Sequence, residues 1–367
     1  MAAERSSAWT LAAVCAGLIV YASLHPFIDW TAPRDGWLSL GLLPWPHYQT
    51  RFDTLVNVLG YAPFGAFLTT AQLRGGRGRL AALLGATLAG ALLSQGLESV
   101  QHLLPVRVPS RLDWLCNTLG AALGAAFVLL LHAAGALARW STVRRQCFLP
   151  GADFGLALLW LWPLGLLYPP ALPFAPGQVL PRLRELAEGA LAGTPWADTL
   201  QAGQGALPAL GPLGSVITVS LGALAPCLVA SAITAPGPRR AGLLVGALLL
   251  AVGTSTLSTA LNFGPEHALA WWTPPVAPAL ALAALLALLL VPLPARRVAQ
   301  LGLPLLAAGL LLANLAPEDP YVEASLQGWE QGRFIRFHGI SQWVGWLWPA
   351  AALLGLLRLA TTPAGRR

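Results

Sequence analysis

The chain has 367 residues, of which 56% are hydrophobic and only 10% charged, and its net charge of +7 rests on arginine because lysine is absent. Its apolar runs are too long and too numerous for one water-soluble core. The arginines lie mainly in short segments between those runs, which speaks for a polytopic membrane protein and against nucleic acid as a partner. Cys15, Cys116, Cys147 and Cys227 are scattered, with no Cys-x-x-Cys and no His/Cys cluster, so neither a disulfide framework nor a metal site is expected, and no cofactor.

The first run, "MAAERSSAWTLAAVCAGLIVYASLHP", has a weak positive region and no clear small-x-small cleavage site. It reads as an uncleaved membrane helix rather than a signal peptide. Continuing along the chain, spans are expected at 8–24, 55–73, 80–103, 112–137, 153–170, 213–234, 241–260, 275–292, 298–315 and 342–359. The expected fold is all-α, a polytopic transmembrane helical protein of about ten helices. Arginine-bearing loops, "RGGRGR" (74–79), "RWSTVRR" (139–145), "PGPRR" (236–240) and "PARR" (294–297), fall on one side together with both termini. Fourteen of the 22 arginines lie on that side. The excess of positive charge in short cytoplasmic loops then gives an N-in/C-in orientation.

The opposite side holds most of the acids, including Asp29, Asp53, Asp198, Glu318, Asp319 and Glu330. It also holds two longer outer loops, 171–212 and 316–341; in the first, "RLRELAEGALAG" reads as a short amphipathic helix at the interface. Trp271, Trp272, Trp343, Trp346 and Trp348 fall near span ends, as an aromatic belt would.

The polar chemistry is concentrated in the first third. "RFDTLVNVLG" (51–60) and "RLDWLCNTLG" (111–120) both read Arg-x-Asp-x-Leu-x-Asn-x-Leu-Gly, which makes this third a repeat of two helical hairpins in the same orientation. Asp53 and Asn57 are spaced i,i+4 and share a helix face, as do Asp113 and Asn117. On the later helix that face continues through Gly120 and Gly124, small residues that let another helix approach closely. The preceding helix presents Gly90, Ser94, Glu98 and Gln101 as a similar stripe, and the connection adds Arg107, Ser110 and Arg111. Polar groups from three helices are therefore expected at one depth, facing protein or a ligand rather than lipid. Pro63 and Gly65 interrupt the helix that starts at Asp53, either as a break that exposes backbone to a cavity or as a kink satisfied by its neighbours.

"NVLGYAPFG" followed by "LLSQGLESVQHLLPVRVPSRLDWLCNTLGAALG" resembles the VanZ-like family. The pattern is Asn57, Pro63 and Gly65, then Glu98 and Gln101, then Arg107, Ser110, Asp113, Asn117 and Gly120. The resemblance covers roughly 8–137. It divides the chain into a VanZ-like four-helix unit, 1–145, and a second membrane unit of about six helices, 146–367. It implies a bacterial envelope setting, since the namesake is associated with low-level teicoplanin resistance and longer members resemble products of exopolysaccharide loci.

Three functions compete. In the first, Asp53, Asn57, Glu98, Gln101, Arg107, Ser110, Arg111, Asp113 and Asn117 bind a cell-surface glycan, glycolipid or glycopeptide at the periplasmic side of the inner membrane. Pro63, Gly65, Gly120 and Gly124 then serve packing or a kink. The expected partners are membrane lipid and a lipid-linked glycan or glycopeptide, and no oligomeric state is read from the sequence. In the second, a transporter of an envelope precursor uses Thr254, Ser255, Thr256, Ser258 and Asn262 to line a path. In the third, Glu98, Asp113 and Asp53 divide acid and base roles in a membrane-embedded enzyme, with His25 and His102 nearby. No hydrolase, metalloprotease or nucleotide-binding signature accompanies them, and no catalytic residue is assigned. A polar clamp that merely fixes hairpin packing is the plainer alternative to all three.

Overall fold

The computed structural model describes residues 7–24, 27, 30–32, 41, 43–46, 51–194, 210–316 and 335–361. His25, Asp29, Asp198, Glu318, Asp319 and Glu330, and most of the outer loop 316–341, lie outside the described residues. The described residues form twelve α-helices and no β-strand. The helices are α1 (Ser7–Leu24), α2 (Arg51–Arg74), α3 (Arg79–Gln101), α4 (Arg111–Ala133), α5 (Ala136–Cys147), α6 (Asp153–Leu166), α7 (Leu180–Leu191), α8 (Pro212–Ala232), α9 (Pro238–Phe263), α10 (Val276–Leu290), α11 (Ala295–Leu315) and α12 (Ile335–Thr361). The chain divides into two compact units, Met1–Gln146 and Cys147–Arg367.

All ten expected spans fall on helices. Seven of these are long and apolar enough to cross a membrane, whereas α6 and α10 are apolar but shorter, at 14 and 15 residues. At 1.5 Å per residue such helices reach about 21–23 Å, short of a hydrocarbon core about 30 Å thick. The segment α2 has the length, but its polar residues and Pro63 lower its apolarity.

The surface of the first unit identifies its solvent. Along α3, Leu80, Leu84, Leu88 and Leu92 recur every four residues and are 58–67% exposed. The opposite face, Ala82, Ala86, Gly90, Ser94 and Glu98, is buried. A row of exposed leucines with small and polar residues inside inverts the pattern of a water-soluble helix and suits lipid, which solvates Leu and does not solvate carboxylates. The protein is an all-α polytopic membrane protein.

Three stretches read as loops are wholly or partly helical. "RWSTVRR" lies in α5: Gly135, at φ +71°, ends α4, and the chain re-enters a helix one residue later. The arginines of "PGPRR" and "PARR" belong to the first turns of α9 and α11. In the second unit α8 is buried without interruption from Thr218 to Ala232, packed among α6, α9, α10, α11 and α12. Phe174, itself fully buried at φ 62°, lays its backbone against Gly222 of α8, where any side chain would collide. Asn314 of α11 pins the same segment. Its Oδ1 accepts from the N–H groups of Val179 (2.9 Å) and Leu180 (2.8 Å), and its Nδ2 donates to the carbonyls of Gly177 (2.9 Å) and Leu310 (2.8 Å). That fills every hydrogen-bonding site of the amide and caps α7, the helix expected at "RLRELAEGALAG". Trp271 and Trp348 are not belt residues, since both are buried with their indole N–H groups bonded to Thr256 Oγ1 and the Leu158 carbonyl. Trp272 and Trp343 are exposed.

Candidate functional site

The site is built on the N-terminus of α4. Ser110 is extended (φ −142°, ψ 128°), and its Oγ accepts from the Asp113 N–H at 3.2 Å, an ordinary N-cap. In a capping box the acid three residues on would return to the cap's own N–H. Here that N–H donates instead to Glu98 Oε2 of α3 at 2.8 Å. Glu98 thus completes a helix start on its neighbour, and Asp113 is released to accept from Asn57 Nδ2 of α2 at 2.6 Å. One turn further, Asn117 Nδ2 donates to Ser94 Oγ of α3 at 2.9 Å. An acid and an amide in the opening turns of a membrane helix are explained by these contacts: both face other helices, and the acid sits at the positive end of the helix dipole.

Burial grades the group. Ser94, Glu98, Ser110 and Asn117 are at most 5% exposed and Gln101 is 9% exposed. Asp53, Asn57, Arg107 and Asp113 are half-buried, and Arg111 is exposed. Glu98, Ser110, Asp113, Asn57, Ser94 and Asn117 come together as one cluster of three helices. The expected residues Gln101 and Arg107 turn to α1, where they donate to the last carbonyls of that helix, Ser23 O (2.9 Å) and Ala22 O (3.1 Å). Arg111 lies over the Trp45 ring at 5.7 Å, and its N–H donates to the Pro44 carbonyl at 2.9 Å. Asp53 occupies the first turn of α2.

The close packing beneath the cluster comes from glycine. A Cβ on Gly120 would strike the Val58 backbone, one on Gly124 the Ala62 backbone, and one on Gly65 the Ala121 backbone. Contacts 57/113, 58/120 and 62/124 advance together, so α2 and α4 run parallel. The repeat is used asymmetrically. Gly60, the counterpart of Gly120, has nothing within 4 Å of its Cβ position, and Asn57 faces α4 while Asn117 faces α3. Pro63 is exposed and α2 continues through it, so it opens no cavity toward the cluster.

Sequence reasoning missed Tyr61. It is 4% exposed, four residues after Asn57 on the same face, and its ring lies beside Gly90 with Cδ1 3.9 Å from the position a Cβ would take. Ala121, its counterpart in the repeat, also packs on Gly90. The Tyr61 hydroxyl reaches toward Ser94 with Glu98 in electrostatic range, yet no hydrogen bond of acceptable geometry closes, and Asn117 Oδ1 is also buried without a partner. The i,i+4 continuation of Asp53 and Asn57 onto a polar aromatic was the available signal.

The polar candidates of the second unit lie in α9. In α9, Thr256 and Thr259 donate to the carbonyls four residues back, Ser258 donates to the Leu167 carbonyl and Asn262 to the Ser258 carbonyl. These bonds satisfy backbone carbonyls, as hydroxyls in membrane helices commonly do, while Asn262 Oδ1 is buried without a partner among the described residues. Among the described residues no three His, Cys, Asp or Glu side chains gather as a metal site requires.

A model of the VanZ/LLP1 family matches residues 7–132. The matched stretch spans α1 to the last turn of α4 and contains every residue of the cluster. No curated protein and no solved structure matches the chain.

Proposed function

We propose that the VanZ-like region of this multi-pass membrane protein recognises a cell-surface glycan, glycolipid or glycopeptide at the end of the α2–α3–α4 bundle. The site comprises Asn57, Ser94, Glu98, Ser110, Asp113 and Asn117, with Asp53 and Arg111 at its rim. Gln101 and Arg107 hold α1 against it. The setting is the bacterial cytoplasmic membrane, with both termini in the cytoplasm and the site on the periplasmic side, an orientation that rests on the arginine bias of the short loops.

One observation carries this reading: a carboxylate, Glu98, is 4% exposed in a membrane unit whose helices already pack through glycine. Ionisable groups in membrane helices are costly, and Gly65, Gly120 and Gly124 provide the close approach without them. A surplus of carboxylate and amide groups suits sugar hydroxyls, which both donate and accept.

The test uses the full chain, extracted from bacterial membranes in mild detergent, with retained small molecules identified by mass spectrometry. A sugar-bearing lipid or peptide is expected in the wild-type preparation, and Glu98→Gln is expected to reduce it about tenfold, the effect of losing one charge-assisted hydrogen bond. A wild-type preparation without such a molecule, or one whose cargo is untouched by Glu98→Gln, counts against recognition at this site.

A further inference from the structure

We infer that Tyr61, Ser94 and Asn117 form an inner subsite that takes an uncharged hydroxyl, so the recognised molecule presents a sugar or other polyol rather than a phosphate. This rests on the recognition reading above and adds to it a residue, a depth and the exclusion of a phosphate.

The three side chains occupy a layer deeper than the rest of the cluster. Asn117 lies six residues beyond Arg111 and Tyr61 ten beyond Arg51, which is about 9 Å and about 15 Å along their helices. Their exposures are 5%, 4% and, for Ser94, 0%. Asn117 Nδ2 donates to Ser94 Oγ and the Tyr61 hydroxyl approaches the same Ser94, yet Asn117 Oδ1 and Tyr61 Oη each lack a well-formed hydrogen bond among the described residues. Buried polar atoms are seldom left unmet, and where they are, a water or ligand is the usual reason. Rotating the Asn117 amide does not remove the need, because it exchanges an unmet carbonyl for an unmet NH2.

A hydroxyl satisfies both atoms at once, accepting from the phenol and donating to the amide oxygen. It also serves the rotated amide with the roles reversed. A phosphate offers acceptors alone in its ionised form and would bring negative charge to within a turn of Glu98, a like-charge contact in low dielectric. The arginines of the motif do not line this layer: Arg107 donates to the end of α1 and Arg111 lies exposed over Trp45. In the layer itself Gly90 packs against Ala121, and the Tyr61 ring lies beside it.

The test places the full chain in phosphatidylcholine nanodiscs doped with either a monoglucosyl diacylglycerol or phosphatidic acid, and counts bound lipid by native mass spectrometry. Wild type is expected to retain the glucosyl lipid in preference to phosphatidic acid. Tyr61→Phe, which removes one oxygen, and Asn117→Ala are each expected to lower retention about tenfold, the loss of one buried hydrogen bond. If Tyr61→Phe and Asn117→Ala bind like wild type while Glu98→Gln loses the lipid, the inner subsite is overturned and the recognition site stands; the unmet atoms then hold only water. Preference for phosphatidic acid overturns the hydroxyl class. If wild type retains no glucosyl lipid and Glu98→Gln changes nothing, both readings fall.

Discussion

At the scale of single residues, charge in this protein is placed where helix ends can answer it. Glu98 accepts from the cap N–H of α4, and Arg107 and Gln101 donate to the last carbonyls of α1. Arg240 is the strongest instance. It is fully buried and donates to the carbonyls of Leu290 (2.8 Å), Val291 (3.2 Å) and Leu293 (2.6 Å) at the end of α10, and to Thr234 just beyond α8. The negative ends of two helices thus meet one guanidinium. Its neighbour Arg239 is exposed. We predict that Arg240→Met lowers stability by about 1.5–3 kcal/mol, the range for a hydrogen-bonded charged group. Arg239→Met should stay within about 0.5 kcal/mol, as surface changes do. Thermal unfolding of the detergent-solubilised protein checks both, and equal effects would remove the distinction. Nothing in "PGPRR" separates the two arginines, since the difference arises only when α10 brings its carbonyls to one of them. Glu98, Asn117, Gly120 and Gly124 were legible because their stripe follows helical periodicity. Tyr61 continues the Asp53 and Asn57 face, but its packing beside Gly90 of another helix was not legible.

At the scale of elements, the duplicated Arg-x-Asp-x-Leu-x-Asn-x-Leu-Gly sequence foretold two parallel helices starting at one end of the unit, and α2 and α4 are parallel. It did not foretell that the copies turn different faces inward. That depends on Tyr61 standing where the second copy has Ala121, so α3 receives a ring from one helix and a methyl from the other. The glycines record the difference. We predict that Gly124→Ala destabilises by about 1–3 kcal/mol, because a side chain there meets the Ala62 backbone and the helices must separate. Gly60→Ala should instead be neutral or stabilising by up to about 1 kcal/mol, since that position opens onto space and a helical alanine costs the unfolded chain less freedom. Melting curves of the two variants distinguish them, and a destabilised Gly60→Ala would mean the copies pack alike. The helix α5 escaped the sequence reading because its polar, arginine-rich composition resembles a loop, and only the left-handed Gly135 separates it from α4.

At the scale of the molecule, the exposed leucines of α3 and the continuous burial of α8 describe helices sorted by their surroundings, lipid around one and protein around the other. Hydropathy found the membrane helices because lipid imposes one rule on every span. It could not find which helix is central, since a helix apolar on all sides reads the same whether its neighbours are lipid or leucine. For the proposed orientation we predict that a cysteine at Arg77, in the exposed turn between α2 and α3, reacts with a membrane-impermeant maleimide only after the cytoplasmic side is opened. Labelling in intact spheroplasts would reverse the assignment. The parallel pairing of α2 with α4 also sets a timetable. A ribosome delivers α2 well before α4, with α3 between them, so Asn57 leaves the exit tunnel while Asp113 is still unsynthesised. During that interval the amide has no native partner, and hydrocarbon offers none. The least greasy long helix of the first unit is therefore the one that depends on the insertion machinery to shelter it until its companion arrives.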